Sequence, residues 1–284
     1  MPALWKLMIC CLIIPAIILT SCSNHDDLLP QGDEKWSFVV FSDLQTGYGI
    51  YSQLAKKISS IEPVPMGAFC CGDMMLRVTN ESEWQSFINC SKPITAKMPF
   101  YLARGNHEEN NEISEEILKQ HIYFPLERFY YSFRKNNCFF IILDTQEKEE
   151  DRAIIGKQRD WLFSQLDSAT ADSLVSHIFL FMHQPLYPQG NHKGSDLKNA
   201  DELHARFSIH KKIRAVFSGH DHMFNRFIKD NLVYLTTGGG GGGLNHGFGG
   251  DYYHFTKVSF FSDPSRINIK TIGIFNEIIE DFDL

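Results

Sequence analysis

The chain has 284 residues, of which 43% are hydrophobic and 13% aromatic, and its formal net charge is −7 at pH 7. This composition can bury a sizeable core in one large or two small domains, and it argues against a disordered chain. The acidic balance argues against nonspecific binding along a nucleic-acid backbone, because such binding needs a basic surface.

The first 21 residues predict a signal peptide. Lys6 precedes the apolar run Leu7–Leu19, which is too short to cross a bilayer as an ordinary helix. The sequence Leu19-Thr20-Ser21-Cys22 resembles the bacterial lipoprotein box, in which the cysteine is acylated and begins the mature chain. A plain signal peptide with a chance cysteine is the alternative, but the small residues before Cys22 and the polar stretch after it favour a lipoprotein. We therefore expect a lipid anchor at Cys22 in a bacterial envelope membrane, facing the periplasm or the cell surface.

Residues 22–35 are polar and have little to bury, so they predict a tether. One folded domain is expected over residues 36–284. Its cysteines are Cys70, Cys71, Cys90 and Cys138, and three of them lie in apolar strand-like runs, where cysteine usually packs as a small hydrophobe. We predict no disulfide framework, despite the oxidising compartment.

From Trp36 onward, short apolar runs alternate with amphipathic stretches. The apolar runs predict strands at 36–41, 67–71, 99–103, 129–133, 138–143, 177–182 and 213–217. The amphipathic stretches predict helices at 51–61, 81–90, 157–166 and near 201–209. After Asn225 the pattern changes to strands and turns, with strands at 232–236, 253–260, 267–272 and 274–279. This alternation predicts an α/β fold.

Potential metal ligands follow five of these strands. They are Asp43 with Gln45, Asp73, Asn106, His183, and the pair His220 and His222. A single aspartate at a strand end usually caps the next helix or turn, but five such places in succession are hard to explain as caps. The ends of strands in a shared sheet lie along one edge, so these side chains should converge. Alternate residues of an extended segment share a face, so His220 and His222 could bind two neighbouring ions.

These residues resemble the motifs of the calcineurin-like metallophosphoesterase superfamily. In the family's order they are Asp43-x-Gln45, Gly72-Asp73, Gly105-Asn106-His107-Glu108, His183-x-Pro185 and Gly219-His220-x-His222. The segments Gln158-x-x-Trp161-Leu162 and Thr236-Thr237-Gly238 look like features of the secreted phosphatase branch. The resemblance implies an α/β fold of two packed mixed β-sheets flanked by helices, with a pair of metal ions at the strand ends.

The resemblance also implies the ligand sets. Asp43, Gln45, Asp73 and His222 would hold one ion, and Asp73, Asn106, His183 and His220 would hold the other. Asp73 would bridge two cations about 3.5–4 Å apart, and a shared hydroxide would be the nucleophile. His107 is not assigned as a ligand, and its place beside Asn106 makes it the expected proton donor to the leaving group.

The sequence departs from the family at two positions. The first motif commonly reads Asp-x-His, whereas this chain has Gln45, whose amide oxygen is a harder and weaker donor than imidazole. We expect two divalent ions among manganese, iron, zinc and magnesium, with manganese favoured at the Gln45 site. Purple acid phosphatases carry a tyrosine three residues after the second-motif aspartate, where this chain has Leu76, so no ferric tyrosinate centre is expected.

Other residues near the motifs are open to two interpretations. Arg104 either clamps a phosphate oxygen in bidentate fashion or pairs with Glu108 in the same loop. Asp144, at a strand end, either orients a ligand or caps a turn. The run Gly238–Gly243 lacks the Lys-Ser or Lys-Thr of a nucleotide P-loop, so we expect a flexible loop at the rim of the site. The residues that follow this run are either substrate contacts or ordinary loop packing, and they are Asn245, His246, Tyr252 and Tyr253.

Together these features predict a metal-dependent phosphatase or phosphodiesterase. Its expected partners are a phosphate ester and the membrane that holds its lipid anchor, and not a nucleic acid. The alternative is a noncatalytic surface lipoprotein of the same fold that binds a ligand or glycan. His107 favours the enzyme, because a binding protein has no need of a histidine that is not a ligand.

Overall fold

The computed structural model describes residues 33–109, 111–124, 128–147, 152–194, 197–262 and 265–284. The predicted signal peptide, the predicted lipidation site Cys22 and most of the predicted tether lie outside these ranges. The first strand begins at Glu34, so Glu34 and Lys35 belong to it rather than to the tether. Within the described ranges, no helix combines the length and apolar character that a membrane crossing requires.

One six-stranded mixed sheet contains both ends of the described chain. In spatial order its strands are β12 (Ile278–Asp283), β11 (Ser265–Gly273), β10 (His254–Ser262), β1 (Glu34–Phe41), β2 (Ala68–Cys70) and β3 (Phe100–Leu102). The strands β1, β2 and β3 run parallel, whereas β10, β11 and β12 continue the sheet from β1 in antiparallel order. The parallel strands therefore end at a common edge.

The second six-stranded sheet is also mixed. In spatial order its strands are β4 (Tyr131–Lys135), β5 (Cys138–Ile142), β6 (His177–Phe181), β7 (Ile213–Ser218), β9 (Leu232–Thr237) and β8 (Phe224–Lys229). The four central strands β5, β6, β7 and β9 are parallel, and the edge strands β4 and β8 are antiparallel to their neighbours. Parallel strands need crossover connections, and helices supply those from β5 to β6 and from β6 to β7, whereas strand β8 lies in the connection from β7 to β9.

The described helices are α1 (Tyr48–Ser59), α2 (Glu81–Thr95), α3 (Glu112–His121), α4 (Gly156–Ala171) and α5 (Ala200–Ile209), with a short 3₁₀ helix at Asn106–Glu108. In α1 the buried residues Tyr51, Leu54, Ala55 and Ile58 recur at helical spacing, so one face of the helix packs on the core. Helix α2 begins after Asn80, whose side chain accepts a hydrogen bond from the Ser82 main-chain N–H.

Phenylalanine rings fill the space between the two sheets. The ring of Phe38 on β1 lies edge to face with Phe140 at 5.5 Å and with Phe179 at 5.2 Å, measured between ring centroids. Phe69 on β2 stacks on Phe181 at 4.3 Å. A second cluster, which includes Ile141, Leu162, Leu180, Leu203 and Val216, joins the second sheet to α4 and α5. The predicted α/β fold with two packed mixed sheets is confirmed.

Some predicted elements differ from the structure. Helix α3 and strand β8 were not predicted, and α2 and α4 continue past their predicted ends at residues 90 and 166. The strand predicted at 274–279 is wrong, because the Gly273 N–H bonds to the Glu277 carbonyl in a turn and the strand begins at Ile278. Within the described ranges Cys70, Cys71, Cys90 and Cys138 are free thiols.

Candidate active site

The candidate ligands lie in loops that leave the carboxyl ends of parallel strands in both sheets. Hydrogen bonds between main-chain groups tie these loops together: the Asp43 N–H donates to the Gly72 carbonyl at 3.1 Å, and the Gly219 N–H donates to the His183 carbonyl at 2.9 Å. The first bond joins the loops after β1 and β2, and the second joins the loops after β6 and β7. The candidate ligands of the five motifs, which are far apart in the sequence, therefore lie in one cluster at one edge of the sandwich.

The first predicted ligand set is brought together. Asp43, Asp73 and His222 each offer one ligand atom, and these atoms lie within 4.8 Å of one another. The side-chain amide of Gln45 lies between them, with its nitrogen 3.4 Å from Asp73 Oδ2 and 3.2 Å from His222 Nε2. A cation in this space would meet carboxylate and imidazole donors, and the Gln45 amide would join them by turning its oxygen toward the cation.

The second predicted set converges on His183. Its Nε2 atom is 2.9 Å from Asn106 Oδ1, 3.2 Å from His220 Nδ1 and 3.5 Å from Asp73 Oδ1. Asp73 thus turns Oδ1 toward the His183 set and Oδ2 toward the Gln45 set. This is the orientation that a bridging carboxylate needs.

Two imidazoles are held so that one nitrogen faces the centre. His183 Nδ1 donates to the Cys71 carbonyl at 2.7 Å, and His222 Nδ1 donates to the Gly243 carbonyl at 2.6 Å. These bonds leave Nε2 of each ring as the nitrogen that can bind a metal. The donor set therefore fits a pair of divalent ions in both its chemistry and its orientation.

The carboxylates of the centre raise the pKa of two of its histidines, whereas burial and the neighbouring histidines lower the pKa of His220 to about 3. Burial alone would lower the pKa of His222, but its hydrogen bond with Asp43 and that residue's charge raise the pKa to about 9. Burial likewise opposes protonation of His183, yet the charges of Asp73 and Asp43 raise its pKa above the usual value. A centre that attracts protons in this way also attracts a divalent cation, whose binding would release them.

Several candidate ligands adopt strained backbone conformations. The φ angle is 61° at Asp43, 42° at Gln45, 54° at Asp73 and 72° at His220. Residues other than glycine rarely adopt positive φ, and such strain concentrates at functional sites, where the surrounding structure enforces it. At Gly105, a Cβ would lie 2.2 Å from Asp73 Oδ1, so only glycine lets this loop approach the bridging carboxylate.

Residues 37–224 match the family model for calcineurin-like phosphoesterases, which covers more than half of the chain. The chain belongs to this family. The resemblance predicted from the motifs is therefore confirmed. Membership in this family supports a metal-dependent hydrolase that acts on phosphate esters.

The relatives include purple acid phosphatases of Arabidopsis thaliana. The chain is 27% identical to purple acid phosphatase 23 over 217 residues, which are 70% of this chain and 44% of that protein. It is 25% identical to purple acid phosphatase 22 over 168 residues, which are 55% of this chain and 38% of that protein. The chain thus spans less than half the length of these curated relatives.

Solved structures share the fold at low identity. Purple acid phosphatase PPD1 from yellow lupin (Lupinus luteus) superposes with a TM-score of 0.72 at 17% identity, covering 87% of this chain and 53% of that one. A dimetal phosphatase from Danio rerio superposes with a TM-score of 0.64 at 14% identity, covering 88% of this chain and 99% of that one. GAP50, the anchor in the inner membrane complex of Plasmodium, superposes with a TM-score of 0.71 at 16% identity, covering 89% of each chain. These likenesses establish the fold.

The glycine run of this calcineurin-like phosphoesterase is a packed element. Gly238–Gly242 are buried, and a Cβ at Gly240 would lie 2.3 Å from the Ser42 carbonyl oxygen. The N–H groups of Gly240 and Gly242 donate to the carbonyls of Ser42 and Asp43 at 2.8 and 2.7 Å. The expected flexible rim loop is therefore wrong for these five residues, because the run packs directly against the loop that carries Asp43. Only Gly243 of the run is exposed.

Arg104 does not belong to the site, so both of its predicted roles are wrong. Its side chain is fully buried, and the guanidinium pairs with Asp144 at 2.6 Å and with Glu115 at 2.7 Å. It therefore neither faces a phosphate nor pairs with Glu108. The Asp144 carboxylate pairs with Arg104 and accepts a hydrogen bond from the Gln146 N–H at 2.9 Å. Asp144 therefore caps a turn, which is one of its two predicted roles.

Glu108 is a positioning residue that the sequence did not reveal. Its buried carboxylate accepts hydrogen bonds from the main-chain N–H groups of Asp73 at 2.8 Å, Met74 at 2.7 Å and Gly105 at 2.7 Å. Burial and the nearby charge of Asp73 raise its pKa to about 7. Glu108 thus joins the loop that carries Asp73 to the loop that carries Asn106.

His107 borders the cluster without joining either ligand set. Its main-chain N–H donates to Asp73 Oδ1 at 2.9 Å, and its ring Nδ1 donates to the Leu76 carbonyl at 3.1 Å. The other ring nitrogen, Nε2, lies 3.9 Å from Asp73 Oδ2, and 31% of the side chain is exposed. The imidazole therefore sits where it can face both solvent and the centre.

His192 is a second histidine at the rim, which no sequence pattern had singled out. Its ring stacks on His220 with 3.9 Å between centroids, and its Nδ1 lies 3.0 Å from Asp221 Oδ1. The Asp221 carboxylate also accepts the main-chain N–H groups of Gln189, Gly190 and His192 at 2.7–3.1 Å. Asp221, between the two candidate ligands His220 and His222, thus fixes the loop that presents His192.

The predicted substrate contacts have different surroundings. Asn245 is buried, and its Oδ1 accepts the His222 main-chain N–H at 2.9 Å, so it orients a candidate ligand and does not face a substrate. The side chain of His246 is 77% exposed and pairs with Asp251 at 3.0 Å. Tyr252 is exposed, and Tyr253 packs partly buried against the core. Of the four, His246 and Tyr252 stay available to a bound molecule.

Proposed function

We propose that this protein hydrolyses phosphate esters at a centre of two divalent metal ions. The proposed ligands are Asp43, Gln45, Asp73, Asn106, His183, His220 and His222. The observation that carries the proposal is the Asp73 carboxylate, with Oδ1 3.5 Å from His183 Nε2 and Oδ2 3.4 Å from the Gln45 amide nitrogen. One buried carboxylate that faces two separate donor sets is the arrangement by which two cations share a ligand.

Two divalent ions bound there would neutralise the phosphoryl oxygens and supply the attacking hydroxide. Gln45 makes its set richer in oxygen donors than the set around His183. That difference favours manganese or magnesium over zinc at the Gln45 site. Membership in the calcineurin-like phosphoesterase family and the purple acid phosphatase relatives support the reaction class.

His107 is the proposed proton donor to the departing oxygen. Because its Nδ1 donates to the Leu76 carbonyl, its Nε2 is the ring nitrogen left to carry the proton. General acid catalysis of this kind contributes about 10²–10⁴-fold to a rate. His192, held by Asp221 against His220, is a second candidate for the same role or for holding a phosphate oxygen.

A noncatalytic surface lipoprotein of the same fold is the second candidate. The similar fold of GAP50, an anchor in a membrane complex, supports it as an architectural possibility. The strained backbone at Asp43, Gln45, Asp73 and His220 supports a functional centre of either kind. His107 favours the enzyme, because it borders the centre without belonging to either ligand set.

The test uses the full chain with manganese, 4-nitrophenyl phosphate and bis(4-nitrophenyl) phosphate. We expect manganese-dependent hydrolysis of at least one substrate, and a loss of at least about 10³-fold in the Asp73→Asn variant. Asp160→Asn is the matched control, because Asp160 lies on α4 with 71% of its side chain exposed. Metal-loaded protein that binds phosphate yet hydrolyses neither substrate would favour the noncatalytic alternative.

We also propose that Cys22 is acylated and holds the protein on the outer side of a bacterial envelope membrane. The lipoprotein-box resemblance supports this location. One acyl chain gives only marginal membrane binding, so stable attachment implies more than one chain on Cys22. The Cys22→Ser variant should leave the membrane fraction, and a variant that still sediments with membranes after a high-salt wash would overturn the assignment.

A further inference from the structure

A cavity opens at the end of the sandwich opposite the candidate metal centre. It has a volume of about 530 Å³. Its lining includes Lys35, Trp36, His177, Arg214, Phe260 and Arg266. The strands β6 and β7 begin here and lead to the candidate ligands. His183 follows His177 by six positions, and His220 follows Arg214 by six positions. At about 3.3 Å per residue the two sites lie roughly 20 Å apart.

The side chains of this cavity are cationic in an otherwise acidic protein. Lys35, Arg214 and Arg266 line it, and none of the side chains in its described lining is a carboxylate. Arg266 pairs with Asp283 at 3.3 Å, whereas no described carboxylate lies within ion-pair distance of Lys35 or Arg214.

The polar groups of the cavity are mostly hydrogen-bond donors. Arg214 Nε donates to His177 Nδ1 at 2.9 Å, so the proton of the His177 ring is on Nε2. Burial and the Arg214 charge lower the pKa of His177 to about 4, which keeps the ring neutral. The side-chain amides of Asn136 and Asn137 add further donors at the rim.

An aromatic wall completes the cavity. The rings of Trp36 and Phe260 stack with 3.7 Å between their centroids, and both line the space. The volume exceeds what a bare inorganic oxyanion occupies, so an organic group can lie against these rings. The cavity therefore combines a cationic, donor-rich part with an apolar part.

We propose that this cavity binds a phosphate group that carries an organic substituent, at a site separate from the metal centre. Guanidinium and ammonium groups bind phosphate through charge-assisted hydrogen bonds, and the forked geometry of Arg214 suits two phosphate oxygens. The phosphate belongs either to a free phosphate ester or to an anionic lipid headgroup, because both present the same chemistry. The inference does not depend on the proposed hydrolysis.

The binding test uses phenylphosphonate, whose carbon–phosphorus bond resists hydrolysis, and the full chain stripped of metal by a chelator. Calorimetry measures the dissociation constant, and tryptophan fluorescence reports on Trp36. We expect saturable binding that weakens with salt, and that becomes at least about tenfold weaker in Arg214→Gln. Trp36→Phe should remove the fluorescence change while calorimetric binding persists. The matched control is Lys56→Gln, an exposed lysine on α1, which should bind like the unmodified chain.

A second arm distinguishes the source of the phosphate. The Cys22→Ser chain, which lacks the proposed acylation site, is sedimented with phosphatidylcholine vesicles with and without phosphatidylglycerol. Sedimentation that requires phosphatidylglycerol and is lost in Arg214→Gln identifies a headgroup, whereas phenylphosphonate binding without it identifies a free ester. Lys35→Glu, at an exposed position, repeats both arms if Arg214→Gln fails to fold. Binding of neither probe, or equal binding by all variants, overturns the proposal.

Discussion

Replacing Glu108 with glutamine tests whether this carboxylate holds the two loops of the candidate centre. Its Oε2 accepts the N–H groups of Asp73 and Gly105, and its Oε1 accepts the N–H of Met74. In its best orientation, glutamine places its side-chain oxygen where Oε2 of Glu108 lies, so that it still accepts the N–H groups of Asp73 and Gly105. Its NH₂ group then faces the Met74 N–H, from which it cannot accept a hydrogen bond. One charge-assisted bond, worth about 1.5–3 kcal/mol, is lost, and the two others weaken to neutral bonds. We expect a total loss of about 3 kcal/mol in the free energy of unfolding.

Urea unfolding of the Glu108→Gln chain, with and without manganese, measures this loss. Activity toward 4-nitrophenyl phosphate should fall as well, because Asp73 sits at a positive φ angle that the Glu108 bonds help to maintain. Glu116→Gln on the exposed face of α3 is the control and should change stability by less than about 0.5 kcal/mol. A Glu108→Gln chain with unchanged stability and unchanged activity would refute the positioning role.

The other predictions concern His107, Gln45 and His254. His107→Asn should keep both metal ions and slow alkyl phosphate hydrolysis by about 10²–10⁴-fold, but slow nitrophenyl phosphate much less, since nitrophenolate leaves without a proton; equal losses on both substrates would instead indicate stabilisation of phosphoryl charge. Gln45→His should raise zinc affinity at the first site, measured by metal analysis after dialysis, and two equally tight zinc ions in the unmodified chain would contradict the expected weakness of that site. Burial lowers the pKa of His254 to about 4. In the unfolded chain the His254 ring binds a proton near pH 6.5, whereas in the folded chain it stays neutral down to about pH 4. The free energy of unfolding should therefore fall by about 3 kcal/mol as the pH is lowered from 6.5 to 4. In the His254→Gln chain, unfolding curves should show a smaller loss of stability between pH 6.5 and pH 4. If the pH dependence of stability is unchanged, other groups cause the loss.

The positions of the candidate ligands could be predicted because they depend on simple rules. Apolar runs of five or six residues mark the strands before the ligands, and the polar residues after them must lie at a common edge once the strands are parallel. Edge strand β8 was missed because its residues alternate between half-buried and exposed, and residues 224–229 include Asn225, Arg226 and Lys229. Helix α3 was missed because its described buried residues are only Ser114 and Leu118, which give a weak apolar face.

Interactions between distant residues account for the other errors. Arg104 lies four residues before Glu108, which suggested a pair, but its partner Asp144 is 40 residues away and reaches it only in the folded chain. The glycine run has no side chains, so the sequence carries no sign that Gly240 packs on the Ser42 carbonyl. Glu108 and Asp221 act through main-chain N–H groups of other loops, and such contacts leave no pattern in residue types.

Metal content of the full chain tests the central claim most directly. The chain is equilibrated with manganese, dialysed, and analysed beside Asp73→Asn and the Asp160→Asn control. We predict two ions per chain in the unmodified protein and in the control, and fewer than one in Asp73→Asn, because Asp73 faces both ligand sets. Two ions retained by Asp73→Asn, or no stoichiometric metal in the unmodified chain, would contradict a two-metal centre bridged by this carboxylate.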